Sequence, residues 1–167
     1  MPPERRSIVR TGIGYDSHRF APGIPLILGG VRIPYENGLV GHSDADAVAH
    51  ALTDAILGAA CEGDIGSIFP NTDPANKNRN SMEMLRIVVE RVESKGFVVA
   101  NTDIVVVAET PAIGPHRAAM RDNIARTLHV PTGAVSIKGK TNEGMGWIGN
   151  GEGIACIAIA SLAQRTG

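Results

Sequence analysis

The chain has 167 residues, and its 16 Lys and Arg residues nearly balance its 17 Asp and Glu residues. This length fits one domain, and the formal net charge of -1 argues against a mainly electrostatic nucleic-acid-binding protein, which carries a strongly basic face. Aromatic residues make up only 4% of the chain, too few for extensive base stacking. No apolar run approaches the roughly 20 residues of a membrane span, and no apolar segment follows the charged start of the chain. We therefore expect a cytoplasmic protein that binds neither nucleic acid nor membrane.

The first predicted elements are extended. Ser7 to Tyr15 has the pattern of a strand. The stretch PLILGGVRI, from Pro25 to Ile33, predicts two short extended pieces around Gly29 and Gly30, which form a hairpin or a bulge. A turn is expected at residues 36–38.

A helix is predicted next, from Ala45 to Cys61, because this stretch is rich in Ala and Leu. Ser43 or Asp44 is placed to cap its first turn. Residues 62–80 follow, and their Gly, Pro and Asn content predicts a long loop. Loops of this length inside a compact domain usually carry function or are disordered.

Helices and strands alternate in the second half of the chain. In chain order we predict a helix Ser81–Lys95 capped by Ser81 and ended by Gly96, a strand Phe97–Ala108, a helix Gly114–Leu128, a strand Ala134–Lys140, a loop GWIGNGEG, and a last element Ile154–Leu162, assigned as strand rather than helix. The order predicts one α/β sandwich with helices packed on a sheet. We assign residues 1–167 to a single domain, with residues 1–8 as a short N-terminal extension.

The two cysteines, Cys61 and Cys156, form no CxxC motif and make a poor disulfide framework. We predict two buried free thiols in a reducing compartment.

Two metal-ligand side chains alternate where the first strand is expected to end. Asp16 and His18 lie two residues apart, so they share one face of an extended segment. His50, on the following helix, would complete a three-ligand site of the kind that zinc uses when a fourth position stays open. Taken alone, an Asp-x-His pair also fits a salt bridge.

The same helix carries polar residues at four-residue spacing: His42, Asp46, His50 and Asp54. Residues four apart share one helix face, and the flanking positions are nearly all small and apolar. Polar groups on a buried helix need partners, so this face is a candidate site. The alternative is an ordinary solvated face.

Two loops are suited to binding phosphate. KTNEGMG, from Lys140 to Gly146, offers a cation, a hydroxyl, glycine backbone donors and Glu143, whose carboxylate could hold Mg²⁺ against a diphosphate. GDIGSIFPNTD offers Asp64 and Asp73 beside glycines. Each loop, taken separately, also fits an ordinary turn.

The chain resembles the 2-C-methyl-D-erythritol 2,4-cyclodiphosphate synthase family. The stretches that carry this resemblance are GIGYDSHRF, LILGGVRIPYENGL, GHSDADAVAHALTDAILGAACEGDIGSIFPNTDP and KTNEGMGWIGNGEGIAC, in this order from about residue 11 to the last strand. The resemblance implies a mixed sheet with helices on one face, assembled as a homotrimer with active sites between subunits. It also implies a phosphorus–oxygen lyase that cyclises 4-diphosphocytidyl-2-C-methyl-D-erythritol 2-phosphate and releases CMP.

The resemblance also implies roles for individual residues. Asp16, His18 and His50 would bind Zn²⁺, and Glu143 would bind Mg²⁺ or Mn²⁺ between the two phosphates. His42 and Thr141 would be catalytic, since they match positions that stabilise the transition state. The substrate contacts that the resemblance implies are Asp16, His18, His42, Ser43, Asp64, Gly66, Phe69, Asn71, Asp73, Ala108, Pro111, Ala112, Ile113, Gly114, Lys140, Thr141, Asn142, Glu143 and Trp147.

The chain departs from the family pattern at three positions. Asn71 stands where the family often has Asp, Ala112 where it often has Lys, and Asn150 where it often has Arg. The first two departures change expected substrate contacts, and the third lies near the expected three-fold axis. None of them touches the expected metal ligands.

Two other functions remain open from the residues. A zinc-dependent phosphoester hydrolase would need a general base near the metal, for which Asp46 or Asp64 is a candidate. A non-catalytic metal-binding trimer would need no phosphate loop.

Three successive valines, residues 105–107, predict a strand covered on both faces, as expected for a sheet packed against other subunits.

Overall fold

A five-stranded mixed sheet forms the centre of the computed structural model, which describes residues 9–165. The predicted N-terminal extension, residues 1–8, lies outside the described residues. The strands are β1 Val9–Pro22, β2 Leu26–Leu28, β3 Val31–Ile33, β4 Asn37–Leu39, β5 Phe97–Val107, β6 Val135–Lys140 and β7 Gly153–Gln164. The helices are α1 Ala47–Ala60, α2 Ile65–Ile68, α3 Ser81–Ser94, α4 Arg117–Leu128 and α5 Gly146–Gly149, with 3₁₀ turns at Pro74–Asn76, Gly114–His116 and Thr132–Ala134.

The strand order in the sheet is β4-β1-β7-β5-β6. β5 and β6 run parallel, whereas β1 pairs antiparallel with both β4 and β7, and β7 pairs antiparallel with β5. Helix α1 packs on β1 and β7, and α3 and α4 pack on β5 and β6. This arrangement confirms the predicted mixed sheet with helices on one face. The hairpin β2–β3 and the assignment of the last element as strand are also confirmed.

The first strand is longer than the sequence predicts. β1 continues through Asp16 and His18 to Pro22, because it pairs with β7 as far as Arg19 and with β4 from Phe20 onward. Asp16 and His18 therefore lie within a paired strand and not at its end. The alternation of side chains between the two faces holds, and both residues point to the helix-covered side.

Helix α1 lies unusually close to β1 because two glycines face it. A Cβ atom at Gly12 would lie 2.1 Å from the carbonyl oxygen of Ala55, and one at Gly14 would lie 1.8 Å from that of Ala51. Both distances are too short for any side chain. The absence of side chains at these two positions thus sets the distance between the helix and the strand.

The N-terminus of α1 differs from the prediction. The helix begins at Ala47, and its cap is Asp46, not Ser43 or Asp44. The fully buried Asp46 carboxylate accepts hydrogen bonds from the backbone N–H groups of Val48 and Ala49 and, across the β2–β3 turn, of Gly29 and Gly30. The Asp46 carboxylate therefore links the β2–β3 hairpin to α1 by hydrogen bonds.

Smaller predictions were wrong in detail. The predicted loop of residues 62–80 contains α2 and a 3₁₀ turn, since Asp64 and Asp73 cap these elements. Helix α3 is capped by Asn80 instead of Ser81, the predicted helix from Gly114 begins with a 3₁₀ turn, and the predicted loop GWIGNGEG contains α5. Cys156 is buried as predicted, but Cys61, which ends α1 in a left-handed conformation, is exposed.

The face of the sheet opposite the helices is apolar and uncovered. Ile13 is 69% exposed, Tyr15 is 56% exposed, and Ile157 and Ile159 are exposed beside them on β7. In β5, Val106 is buried under the helices, whereas Val105 and Val107 on the other face are half-buried. Within one subunit, the three valines are thus covered on one face only. No helix in residues 9–165 is long and apolar enough to cross a membrane.

Candidate active site

Asp16, His18 and His50 form a compact cluster of possible metal ligands. Oδ2 of Asp16 lies 2.8 Å from Nε2 of His18 and 3.0 Å from Nδ1 of His50, and these two nitrogen atoms are 3.3 Å apart. All three side chains are half-buried. The sequence prediction that a strand and a helix bring these residues together is confirmed.

The ring of His18 is oriented by the backbone that follows β4. Nδ1 of His18 lies 2.8 Å from the carbonyl oxygen of Val40. Since a carbonyl oxygen only accepts hydrogen bonds, Nδ1 carries a hydrogen, and Nε2 is the ring nitrogen that faces the cluster. Hydrogen bonding of the second ring nitrogen in this way is typical of metal-binding histidines.

The charges in the cluster support each other. Burial opposes ionisation of Asp16, but its hydrogen bonds with His18 and His50 outweigh burial and hold the pKa of Asp16 below its ordinary value. Burial likewise disfavours the charged His18 ring, but the Asp16 carboxylate raises the pKa of His18 above its ordinary value. The cluster therefore attracts positive charge. A proton or a metal ion can supply that charge, and a carboxylate with two imidazoles is a donor set that transition metals bind.

A cavity of about 220 Å³ opens beside the cluster. His42, Ser43, Gly66, Phe69 and Asn71, all predicted from the sequence, line it together with the three possible ligands. Nε2 of His42 is buried and has no hydrogen-bond partner among the described residues, so it is free to bind a ligand. The sequence analysis missed Ile65, Asn76 and Met84, which also line this cavity. No motif marked these three residues, because their position depends on how the segment after α1 folds back.

Three of the predicted acidic residues are used in local structure. Asp64 accepts hydrogen bonds from the backbone N–H and the hydroxyl of Ser67, which lower the pKa of Asp64. Asp73 accepts from the backbone N–H of Ala75, and Asp54 accepts from that of Ile65 at 2.7 Å. None of the three lines the cavity.

The four-residue pattern from His42 to Asp54 does not form one face of a helix. His42 precedes α1, Asp46 caps it, and Asp54 holds the backbone of α2. Only His50 reaches the cluster. The pattern therefore identified two cavity residues, His42 and His50, for a reason that the structure does not support.

Most of the remaining predicted residues lie around a second cavity, of about 270 Å³, at the carboxyl ends of the parallel strands β5 and β6. The predicted residues that line it are Ala108, Pro111, Ala112, Ile113, Gly114, Lys140 and Thr141. Glu109, Arg117 and Gly139 line it as well and were not predicted. No residue lines both cavities. Within one subunit the predicted site is therefore divided into a first half, around the cluster, and a second half, around the second cavity.

The loop that follows β6 is held by a carboxylate. Oε1 of Glu109 accepts hydrogen bonds from the backbone N–H of Asn142, at 2.7 Å, and from that of Gly144, at 3.3 Å. Between these two residues, Glu143 adopts a left-handed conformation with φ 52°, and its Oε1 accepts a hydrogen bond of 3.0 Å from the hydroxyl of Thr141. Glu109 thus shapes the loop that presents Glu143.

Trp147, also a predicted contact, lies apart from both halves. It lines a third cavity, of about 200 Å³, with Ser17, His18, Arg19 and Glu152. This cavity reaches His18, but it does not include the other two possible ligands.

Comparisons with known proteins agree with this geometry. The YgbB family model matches residues 9–163. The 2-C-methyl-D-erythritol 2,4-cyclodiphosphate synthase of Gemmatimonas aurantiaca is 55% identical over 155 residues, which are 93% of each chain. Among solved structures, the bifunctional IspDF from Campylobacter jejuni is 43% identical with a TM-score of 0.92, and the match covers 95% of this chain and 43% of that longer one. The CDP complex of IspF from Plasmodium falciparum is 35% identical with a TM-score of 0.84, and the match covers 95% of this chain and 97% of that one.

The matches extend over both halves of the candidate site, from the cluster on β1 and α1 to the loop that follows β6. The chain belongs to the YgbB family.

Proposed function

We propose that this protein cyclises 4-diphosphocytidyl-2-C-methyl-D-erythritol 2-phosphate to 2-C-methyl-D-erythritol 2,4-cyclodiphosphate in non-mevalonate isoprenoid biosynthesis. An oxygen of the 2-phosphate attacks the β-phosphorus of the diphosphate and forms a new P–O bond. The bond between the β-phosphorus and the bridging oxygen breaks, and CMP leaves with the electron pair. The observation that carries the proposal is the Asp16–His18–His50 cluster beside a cavity, in a chain whose relatives bear the name of this synthase.

The metal at the cluster is proposed to be Zn²⁺. Around a tetrahedral zinc ion with bonds of about 2.0–2.1 Å, ligand atoms lie about 3.3 Å from one another. The spacing of 3.3 Å in the cluster equals this value, and those of 2.8 and 3.0 Å are somewhat shorter, so the ion would widen the cluster slightly. Bound there, the ion would supply Lewis-acid polarisation of a phosphate oxygen and a fixed orientation for that phosphate. Glu143 is proposed to hold a second divalent ion, Mg²⁺ or Mn²⁺, on the diphosphate.

Polar side chains around the cavity are proposed to hold the reacting phosphates. His42 and Ser43 both line the cavity, and the buried Nε2 of His42 has no hydrogen-bond partner among the described residues. Thr141, beside Glu143, would donate to a phosphoryl oxygen as charge shifts to the leaving group. Gly66 and Phe69 would contact the methylerythritol part and exclude water from it. Asp46 is fully buried and accepts hydrogen bonds from four backbone N–H groups, and Asp64 caps α2, so neither carboxylate is available as the base that a hydrolase would need.

The cytidine is proposed to bind in the second cavity, between residues 108–114 and the loop after β6. A relative of the same fold is named as a CDP complex, which supports a nucleotide ligand for this chain. Because the two halves line separate cavities in one subunit, we infer that each active site joins the first half of one subunit to the second half of another. The uncovered apolar face of the sheet supports assembly as a homotrimer.

Mixed assemblies test both the reaction and the division of the site. His18→Ala disables the first half and Glu143→Ala the second, so each variant alone should lose nearly all release of CMP. Coexpressed in equal amounts, they should regain roughly a quarter of the native activity, since chance pairing makes about one interface in four intact. Purified mixtures that stay inactive would contradict sites shared between subunits.

The product distinguishes the proposed reaction from the alternatives. Phosphorus NMR of the reaction mixture should show the cyclic diphosphate together with CMP. A linear phosphate product would identify a hydrolase instead, and metal binding without release of CMP would identify a non-catalytic protein.

A further inference from the structure

His50 has a second set of contacts on the side of its ring that faces away from the cluster. Its Nε2 lies 2.8 Å from the hydroxyl oxygen of Ser81 and 3.0 Å from that of Ser43. Ser81 is fully buried at the first position of α3 and also contacts Asp44. Its hydroxyl donates to Oδ1 of Asp44, and its backbone N–H donates to Oδ2 at 3.1 Å. These contacts connect a possible metal ligand on α1 to the start of α3.

The chemistry of the three groups fixes the direction of the hydrogen bonds. An ionised carboxylate only accepts, so the single hydroxyl hydrogen of Ser81 points to Asp44. Toward His50, the Ser81 oxygen then offers only lone pairs, so the 2.8 Å contact is a hydrogen bond only when Nε2 carries the ring hydrogen. The other nitrogen, Nδ1, is left with a lone pair directed into the cluster.

This direction matters because His50 has a competing partner. Asp16 accepts as well, and a hydrogen on Nδ1 would form a hydrogen bond to it across 3.0 Å. That arrangement would block Nδ1 as a metal ligand. An acceptor at Nε2 favours the opposite tautomer, as the carbonyl of Val40 does for His18.

We propose that Ser81 and Asp44 are positioning residues that form a hydroxyl–carboxylate relay, which holds His50 with Nδ1 free to bind the metal. Ser43 lies beside the relay: its hydroxyl oxygen is 3.2 Å from that of Ser81 and accepts a hydrogen bond from the backbone N–H of Ala45. Because Ser81 and Asp44 hold His50, the Ser43 hydroxyl can donate its hydrogen either to the Ser81 oxygen or to a phosphate bound in the cavity that Ser43 lines. The inference rests on the zinc centre proposed above.

Zinc affinity is the direct test, measured by competition with a chromophoric chelator on the native protein and its variants. Removal of a group that orients a metal-binding histidine typically weakens metal binding about 10- to 100-fold, and we expect a loss of this size for Ser81→Ala. Asp44→Ala, which removes the acceptor behind Ser81, should weaken binding in the same way. The double variant should bind zinc about as well as the weaker single variant, since both changes break one relay. In the Co²⁺-loaded protein, both single variants should alter the visible absorption spectrum.

Thr53→Val is the matched control. It removes a buried hydroxyl from the helix that carries His50, where that hydroxyl donates to the carbonyl of Ala49 and has no contact with the cluster. Zinc affinity should be unchanged in Thr53→Val even where its melting temperature falls as far as that of Ser81→Ala. Unchanged zinc affinity in Ser81→Ala, or additive losses in the double variant, would overturn the relay. If the native protein itself bound no zinc, the proposed metal centre would fail and the relay with it.

Discussion

The two halves of the candidate site are built in different ways. In the first half, which we propose binds a metal ion (the metal half), Asp16 and His18 lie on a paired strand and His50 lies on a buried helix. Groups distant in sequence orient the two imidazole rings. In the second half, which we propose binds the nucleotide (the nucleotide half), most side chains are exposed, and Glu109 holds the loop in which Thr141 contacts Glu143. Packing of a helix on a strand thus positions the first half, whereas hydrogen bonds between two loops position the second. We expect the two halves to respond separately to mutation.

The largest expected effect comes from His50→Ala. Loss of a ligand should reduce zinc content and lower the rate by at least about a thousandfold, because a Lewis acid contributes several kcal/mol to such a reaction. Binding of CDP in the nucleotide half, measured by calorimetry, should change little. Full zinc content by elemental analysis would remove His50 from the ligands. A large loss of CDP binding would show that the halves are not independent.

A smaller effect is expected from Glu109→Ala, which acts on the nucleotide half alone. The change leaves the backbone N–H groups of Asn142 and Gly144 without their acceptor, so the loop that presents Glu143 should lose its fixed conformation. We expect CDP to bind about tenfold more weakly, which corresponds to about 1.4 kcal/mol. Zinc affinity should be unchanged. Glu109→Gln is the control, since it keeps an acceptor oxygen and should retain most of the binding.

The smallest effect is expected outside both halves, at Glu62. Hydrogen bonds from Lys95 and then from Arg91 hold the pKa of this half-buried carboxyl below its ordinary value. An acid with a lowered pKa stabilises the fold above its ordinary pKa, and this contribution is lost as the pH falls through its folded pKa. Below about pH 4, the melting temperatures of the native protein and of Glu62→Gln should therefore converge after a small difference at pH 7. A difference that persists at low pH, or a change in zinc or CDP affinity, would contradict this local role.

Where local pattern determines structure, the sequence was a good guide. Periodicity located α3, β5, β6 and β7 to within a few residues, and the alternation of Asp16 and His18 predicted their shared face. Boundaries were less reliable where distant partners decide them. β1 extends beyond Tyr15 because β7 and β4 pair with it, and Asp46 became the cap of α1 because the turn at Gly29 and Gly30 also needs its carboxylate.

The same distinction applies to the site. Two of the metal-half residues stand in one recognisable motif, whereas Ser81 and Glu109 act through contacts to groups 31 or more residues away and carry no local signal. The division of the predicted residues between two cavities was equally hidden, because a one-dimensional motif does not show which residues share a surface. Asp64 and Asp73 were predicted to contact substrate, but they cap helical turns and do not line the first cavity. In sequence, an aspartate that caps a helix cannot be distinguished from one that binds a ligand.

The close approach of α1 to β1 at Gly12 and Gly14 also bears on which ion the protein selects. Two candidate ligands lie on the strand and one on the helix, so a bound ion has to span the distance between the two layers. With glycine at both positions the layers stay close. This would suit the proposed Zn²⁺, which forms bonds of about 2.0–2.1 Å to nitrogen. A methyl group at Gly14 would push the layers apart and favour longer bonds, which belong to larger ions such as Ca²⁺ that prefer oxygen ligands over imidazole. The size of the proposed ion would therefore be limited by two residues that have no side chain to offer to a metal.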